Sequence, residues 1–215
     1  MNSNTYLVTG ATAGLGRAVA IELARTGGTV IIVARDEDRG ARAQREISSA
    51  TQNSRVDLQL GDLGNLSSVR NLATIIAQRY EKIDVLINNA SVYKKNRTVT
   101  VDGYETMFAT NHLGPFLLTY LLLDQLKASG AARILNISAP STTKLNFEDL
   151  QGERNFNSLN AFGASKMANL LFTFELAHRL AGTGVTVNAI HPGLVRSQLM
   201  KEAILPLRLL TSLFS

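Results

Sequence analysis

Short apolar runs alternate along this chain with longer stretches in which apolar positions recur every three or four residues. Tyr6-Leu7-Val8 stops at a glycine turn, and residues 29–33 form a β-branched run that ends at Ala34-Arg35-Asp36. Residues 56–60 alternate, residues 83–87 run apolar up to Asn88-Asn89, and residues 133–137 and 185–190 complete six expected strands. Helical spacing fills the intervals near 14–26, 38–50, 65–80, 102–129 and 158–181. Continuous apolar strands separated by helices imply a parallel sheet covered on both faces. Right-handed crossovers turn that order into an α/β fold, a doubly wound, Rossmann-like sheet of six strands in which a seventh is not expected. No linker, repeat or low-complexity segment interrupts the pattern. Residues 1–215 therefore read as a single domain, with a last segment at about 194–215. The longest irregular connection runs from Ser138 to Asn157, and loops of that length tend to carry function.

Composition removes several classes. With 45% hydrophobic residues over 215 positions the chain can bury a core, which excludes disorder as its main state. It has no cysteine, which excludes disulfide scaffolds, thiolate metal sites and a cysteine nucleophile, and no metal is expected. The net charge of +5 is spread without a basic run, which suits small anionic ligands and not nucleic acid. Residues 1–5 lack a basic leader and no apolar window is long enough to span a bilayer, so the expected location is cytoplasmic. The apolar stretch 198–213, broken by Pro206, is expected as a helix that lines a hydrophobic pocket or touches a membrane surface. Both membrane-surface contact and a homodimer stay open.

The first strand leads through Thr9-Gly10-Ala11-Thr12-Ala13-Gly14-Leu15-Gly16 into the first helix. Gly10 suits a tight turn, Gly14 lets a pyrophosphate approach the backbone, and Gly16 permits close packing of helix on strand. The helix N-terminus, which Thr12, Ala13 and Leu15 border, offers free N–H groups to phosphates. An ordinary strand–helix turn is the plainer reading of the spacing. The position at the start of a β/α alternation favours nucleotide binding. At the end of the second strand, where an acid would hold a ribose 2′-hydroxyl, stands Ala34, followed by Arg35. A guanidinium matches a 2′-phosphate, so the expected cofactor is NADP(H).

Taken together, Thr9–Gly16, Asp62-Leu63, Asn88-Asn89-Ala90, Asn111, Lys166 and Pro192-Gly193 resemble the short-chain dehydrogenase/reductase family from residue 5 to about 200. Residues 111–119, 147–153 and 165–169 resemble its retinol-dehydrogenase-like branch. The resemblance implies an oxidoreductase acting on a hydrophobic alcohol or carbonyl compound. It implies that Asp62 and Leu63 sit at the adenine, Asn88 and Ala90 beside the adenosine ribose, and Lys166 at the nicotinamide ribose. Pro192, Gly193, Val195 and Ser197 would border the nicotinamide. Ser91 replaces the glycine usual after Asn-Asn-Ala.

The resemblance also marks two departures. The family's acid/base tyrosine stands four residues before the lysine, where this chain has Phe162. The catalytic serine of the family corresponds here to Ala139, after Ser138. Lys166 and Asn111, the other two members, are kept. Losing one general acid costs about 10²–10⁴ in rate. Three explanations stay open: an engineered inactive mutant, a natural scaffold that keeps NADP(H) while another group handles protons, and a shifted alignment in which Ser138 or Ser141 replaces the missing serine. The rival to an oxidoreductase is a non-redox protein on the same scaffold, an isomerase or cyclase or a cofactor-binding regulator. His112 and His191 read as structural, and Tyr93 is an outside candidate for proton transfer.

Overall fold

The computed structural model of the chain describes residues 4–139 and 142–193. Its strands are β1 (Thr5–Thr9), β2 (Thr29–Ala34), β3 (Val56–Leu60), β4 (Val85–Asn88), β5 (Arg133–Ile137) and β6 (Thr186–Ile190). They pair in parallel in the order β3-β2-β1-β4-β5-β6. This is the doubly wound, Rossmann-like sheet that the alternation predicts. Leu7, Ile31, Leu86 and Ile134 point to one face and Tyr6, Val8, Val30, Ile32 and Ile87 to the other, so each face has its own apolar core. The order reverses between β1 and β4, which opens a crevice at the carboxyl ends of these strands.

Helices α1 (Gly14–Arg25), α2 (Glu37–Thr51) and α3 (Leu66–Arg79) cover the first half of the sheet. The second half is served by α4 (Thr106–Phe108), α5 (Gly114–Leu121), α6 (Leu123–Ala128) and α7 (Ser158–Arg179). Four of these helices begin at a side-chain cap. Asp36, Asn65, Glu105 and Asn157 accept from the backbone N–H of Arg39, Ser68, Met107 with Phe108, and Asn160. Helix α1 differs: it starts at Ala13 with no side-chain cap and no acid in its first turn, leaving its free N–H groups for something else.

The single helix expected over 102–129 is corrected by the structure. Gly103, at φ +82°, turns a short hairpin closed by a bridge between Val99 and Glu105. Helix α4 then passes through a π-helical turn, Ala109–Leu113, into α5, and the chain bends again at Leu122 before α6. Pro115 explains much of the first irregularity. It has no N–H to give to the carbonyl four residues back, that of Asn111. The side-chain amide of Asn169 on α7 donates there instead, at 2.7 Å. The expected contacts at Val195 and Ser197, the helix over 198–213, the whole of the segment 194–215 and Ser141 lie outside the described residues.

Candidate functional site

The crevice is a cavity of about 610 Å³. The glycine loop forms its floor. Gly10 has φ +67°, and a Cβ added there would stand 2.8 Å from Cα of Ala90. A Cβ on Gly16 would stand 2.4 Å from both the Gly10 carbonyl oxygen and Nδ2 of Asn89. Both positions need glycine on steric grounds, so the loop lies flat against the start of the next segment. Thr12, Ala13, Gly14 and Leu15 complete this wall, where α1 presents its uncapped N-terminus. Arg35 lies at one end with Asp62 and Leu63, while Ala90, Pro192 and Gly193 line further walls.

Asn88 is not on the wall. Its side chain is buried in the core, donating to Oγ1 of Thr119 at 3.0 Å and Oδ1 of Asn136 at 2.9 Å. The Asn88 side chain thus points away from the crevice in which the resemblance implies a ribose, and the neighbouring Asn89 lines that crevice. Its Nδ2 donates to the carbonyl oxygens of Thr9 and Gly10 at 2.9 and 3.2 Å, clamping the glycine loop. Arg39 also lines the cavity and was missed in the sequence. The signal was there, since Arg39 follows the N-capping Asp36 by three residues and so sits in the first turn of α2, beside Arg35.

Lys166, Phe162, Ser138 and Ala139 come together on the opposite wall. Lys166 is only 4% exposed, and its Nζ donates to the Ile137 carbonyl oxygen at 3.2 Å. Phe162 lies one helical turn earlier, with Nζ 5.5 Å from the ring centre. Burial pushes the Lys166 ammonium down to a pKa of about 8. That loss corresponds to about 3 kcal/mol, more than a cation–π contact of about 0.5–2 kcal/mol returns. Ser138 donates its hydroxyl to the Lys166 carbonyl oxygen at 3.0 Å, so its proton is committed to the backbone.

Asn111 is not on the cavity wall either. Its Oδ1 accepts from Val92 N at 2.8 Å, and its Nδ2 donates to Val92 O and Ser165 Oγ at 3.0 and 3.1 Å. Both of its amide protons are thus used. Tyr93 stands behind Phe162, its rings 5.7 Å apart edge to face, with its hydroxyl donating to Ser158 Oγ at 2.9 Å. It is 3% exposed and does not reach the cavity. His112 is half-buried, its Nδ1 3.0 Å from Asn169 Oδ1, and partial desolvation holds its pKa below the usual histidine value. His191 does line the cavity. Among the described residues no group of acids and histidines could hold a metal, and no helix is long and apolar enough to cross a membrane.

A doubly wound parallel sheet with a glycine-floored crevice at its reversal point, and an uncapped helix N-terminus aimed into it, defines a dinucleotide-binding class of protein. The short chain dehydrogenase family matches residues 4–206. The chain is 48% identical to retinol dehydrogenase 12 of Mus musculus over 211 residues, covering 97% of this chain and 66% of that protein. A crystal structure of an uncharacterized protein from Mycobacterium paratuberculosis is similar at TM-score 0.78 and 40% identity, covering 93% of this chain and 72% of that one. A metagenomic short-chain oxidoreductase in complex with NADP is similar at TM-score 0.73 and 26% identity, covering 89% of this chain and 83% of that one. The chain belongs to the short-chain dehydrogenase family of oxidoreductases, in its retinol-dehydrogenase-like branch. It spans between 59% and 66% of the length of the first retinol dehydrogenases it matches. The family uses nicotinamide dinucleotides, and the residues here fit such a group: Gly10 and Gly16 leave no room for a side chain in the loop, and the N–H groups of α1 that no side chain caps suit a phosphate.

Proposed function

We propose that this protein binds NADP(H) in preference to NAD(H), accepts a hydrophobic alcohol or carbonyl compound beside it, and interconverts the two only slowly. The observation that carries the cofactor choice is that Arg35, at the end of β2, and Arg39, in the first turn of α2, both line the cavity. Ala34 offers no carboxylate to a ribose hydroxyl there, and the Asp36 carboxylate is held by the Arg39 backbone N–H at 2.9 Å. Two guanidinium groups in that place favour a 2′-phosphate. When bound, the cofactor supplies or takes a hydride. Lys166 holds a ribose hydroxyl, and the wall of Phe162 and Ala139 accommodates the apolar part of a substrate.

The same wall supports a second reading, a cofactor-binding protein whose chemistry has moved or ceased. Neither Phe162 nor Ala139 can pass a proton to a reacting oxygen, and the Ser138 proton is engaged by the backbone. Calorimetric titration with NADP⁺ and NAD⁺ tests the cofactor assignment. A charge-assisted contact contributes about 1.5–3 kcal/mol, so NADP⁺ should bind at least about tenfold more tightly. Equal affinities, or tighter NAD⁺ binding, would overturn it.

A further inference from the structure

We infer that Lys166 captures hydrophobic aldehydes in this cavity as an imine, a covalent activity of the amine itself that needs neither missing hydroxyl. Three observations meet at this side chain. It is buried yet lines the cavity, so a small carbonyl compound has a way to it. Among the described residues no carboxylate pairs with it, and its one hydrogen bond is to the Ile137 carbonyl oxygen. Nothing therefore pins it as an ammonium ion. Its surroundings on the wall include the ring of Phe162 and the methyl group of Ala139, which suit an alkyl or polyene tail and carry no competing proton. A lysine desolvated beside apolar groups is the form in which this side chain becomes a nucleophile.

The reaction balances without a redox partner. The Nζ lone pair of the neutral amine attacks the carbonyl carbon, and a proton passes from nitrogen to oxygen to give a carbinolamine. The C–O bond then breaks, water leaves, and a C=N bond forms. Burial supplies the neutral amine. With the ammonium at about pKa 8, about a tenth of the side chains are uncharged at pH 7. For an ordinary lysine the figure is below about one in a thousand. The inference does not rest on NADP(H) binding, although both ligands would use one cavity.

The test treats the full chain at pH 7 with decanal and sodium cyanoborohydride, which reduces an imine to a stable secondary amine. Digestion and mass spectrometry then locate the decyl group among the chain's seven lysines. Lys166 should be modified at least about tenfold faster than any other lysine, a conservative share of its excess of free amine. Lys166→Arg should abolish the preferential adduct, and the wild-type map decides the matter even if that variant fails to fold. Labelling that follows surface exposure, or none at Lys166, overturns the inference. NADP⁺ affinity is measured on the same preparation. An adduct without such affinity supports the inference and removes the cofactor reading, whereas affinity without an adduct removes the inference alone.

Discussion

Phe162 and Lys166 stand one turn apart on α7, with the ring facing the amine across 5.5 Å. A hydroxyl placed on that ring would be close enough for the neighbouring charge to favour phenolate, the state a general base needs. Phe162→Tyr combined with Ala139→Ser should therefore raise NADPH-dependent reduction of hydrophobic aldehydes at least about 10²-fold, the lower figure for one general acid. Steady-state rates on the wild type and the double variant check this, and a double variant that binds both ligands yet transfers no hydride would favour moved chemistry. The residues of this wall were legible in the sequence, because the spacing from Phe162 to Lys166 is local to one helix. Asn88 and Asn89 were not separated for a physical reason. In a sheet buried on both faces, polarity does not mark the side to which a residue points, and the two asparagines differ only in parity. Leu86 and Ile87 settle it after the fact, since Asn88 shares the face of Leu86.

At the scale of elements, the strands were readable to within a residue or two because their β-branched runs end at glycines or polar turns. The expected strand at 83–87 is observed at Val85–Asn88, for instance. The stretch 102–129 was misread because its apolar spacing is helical throughout, and a π-helical turn leaves that spacing almost unchanged. What breaks the helix is the missing N–H of Pro115, and what repairs it is Asn169, distant in sequence. Replacing Asn169 by Leu should leave the buried Asn111 carbonyl without its donor and cost about 1–3 kcal/mol, read as a lowered urea midpoint. In a Pro115→Ala background the loss should be smaller, because the backbone regains a donor at that carbonyl. Equal losses in the two backgrounds would show that the carbonyl is satisfied in some other way.

Across the whole molecule, the buried cation of the cavity wall sets a dependence of stability on pH. The Lys166 pKa is about 8 in the folded state and near 10.4 for an unfolded chain. Between those values the unfolded state holds more protons, so this group makes stability rise with pH, and below pH 8 its penalty is present in full. Lys166→Met should then be more stable than the wild type at pH 7 by about 1–3 kcal/mol, with the gap closing as pH approaches 10.5. Urea unfolding of both proteins across that range measures it, and a gap independent of pH would assign the difference to packing alone. A different consequence follows from Asn88, whose amide meets Asn136 on the adjacent strand at the matching position of the β4–β5 register. Thr119 and Thr173 extend this contact into α5 and α7. Apolar runs as alike as those of β1, β2, β4 and β5 could trade places or slide during folding at little loss of greasy contact. The two asparagines disfavour that, because a wrong neighbour or a one-step slide takes from their amide N–H groups the acceptors of the native register, at roughly 1–3 kcal/mol each. The matching of these two amides marks the β4–β5 pairing apart from its mispaired alternatives.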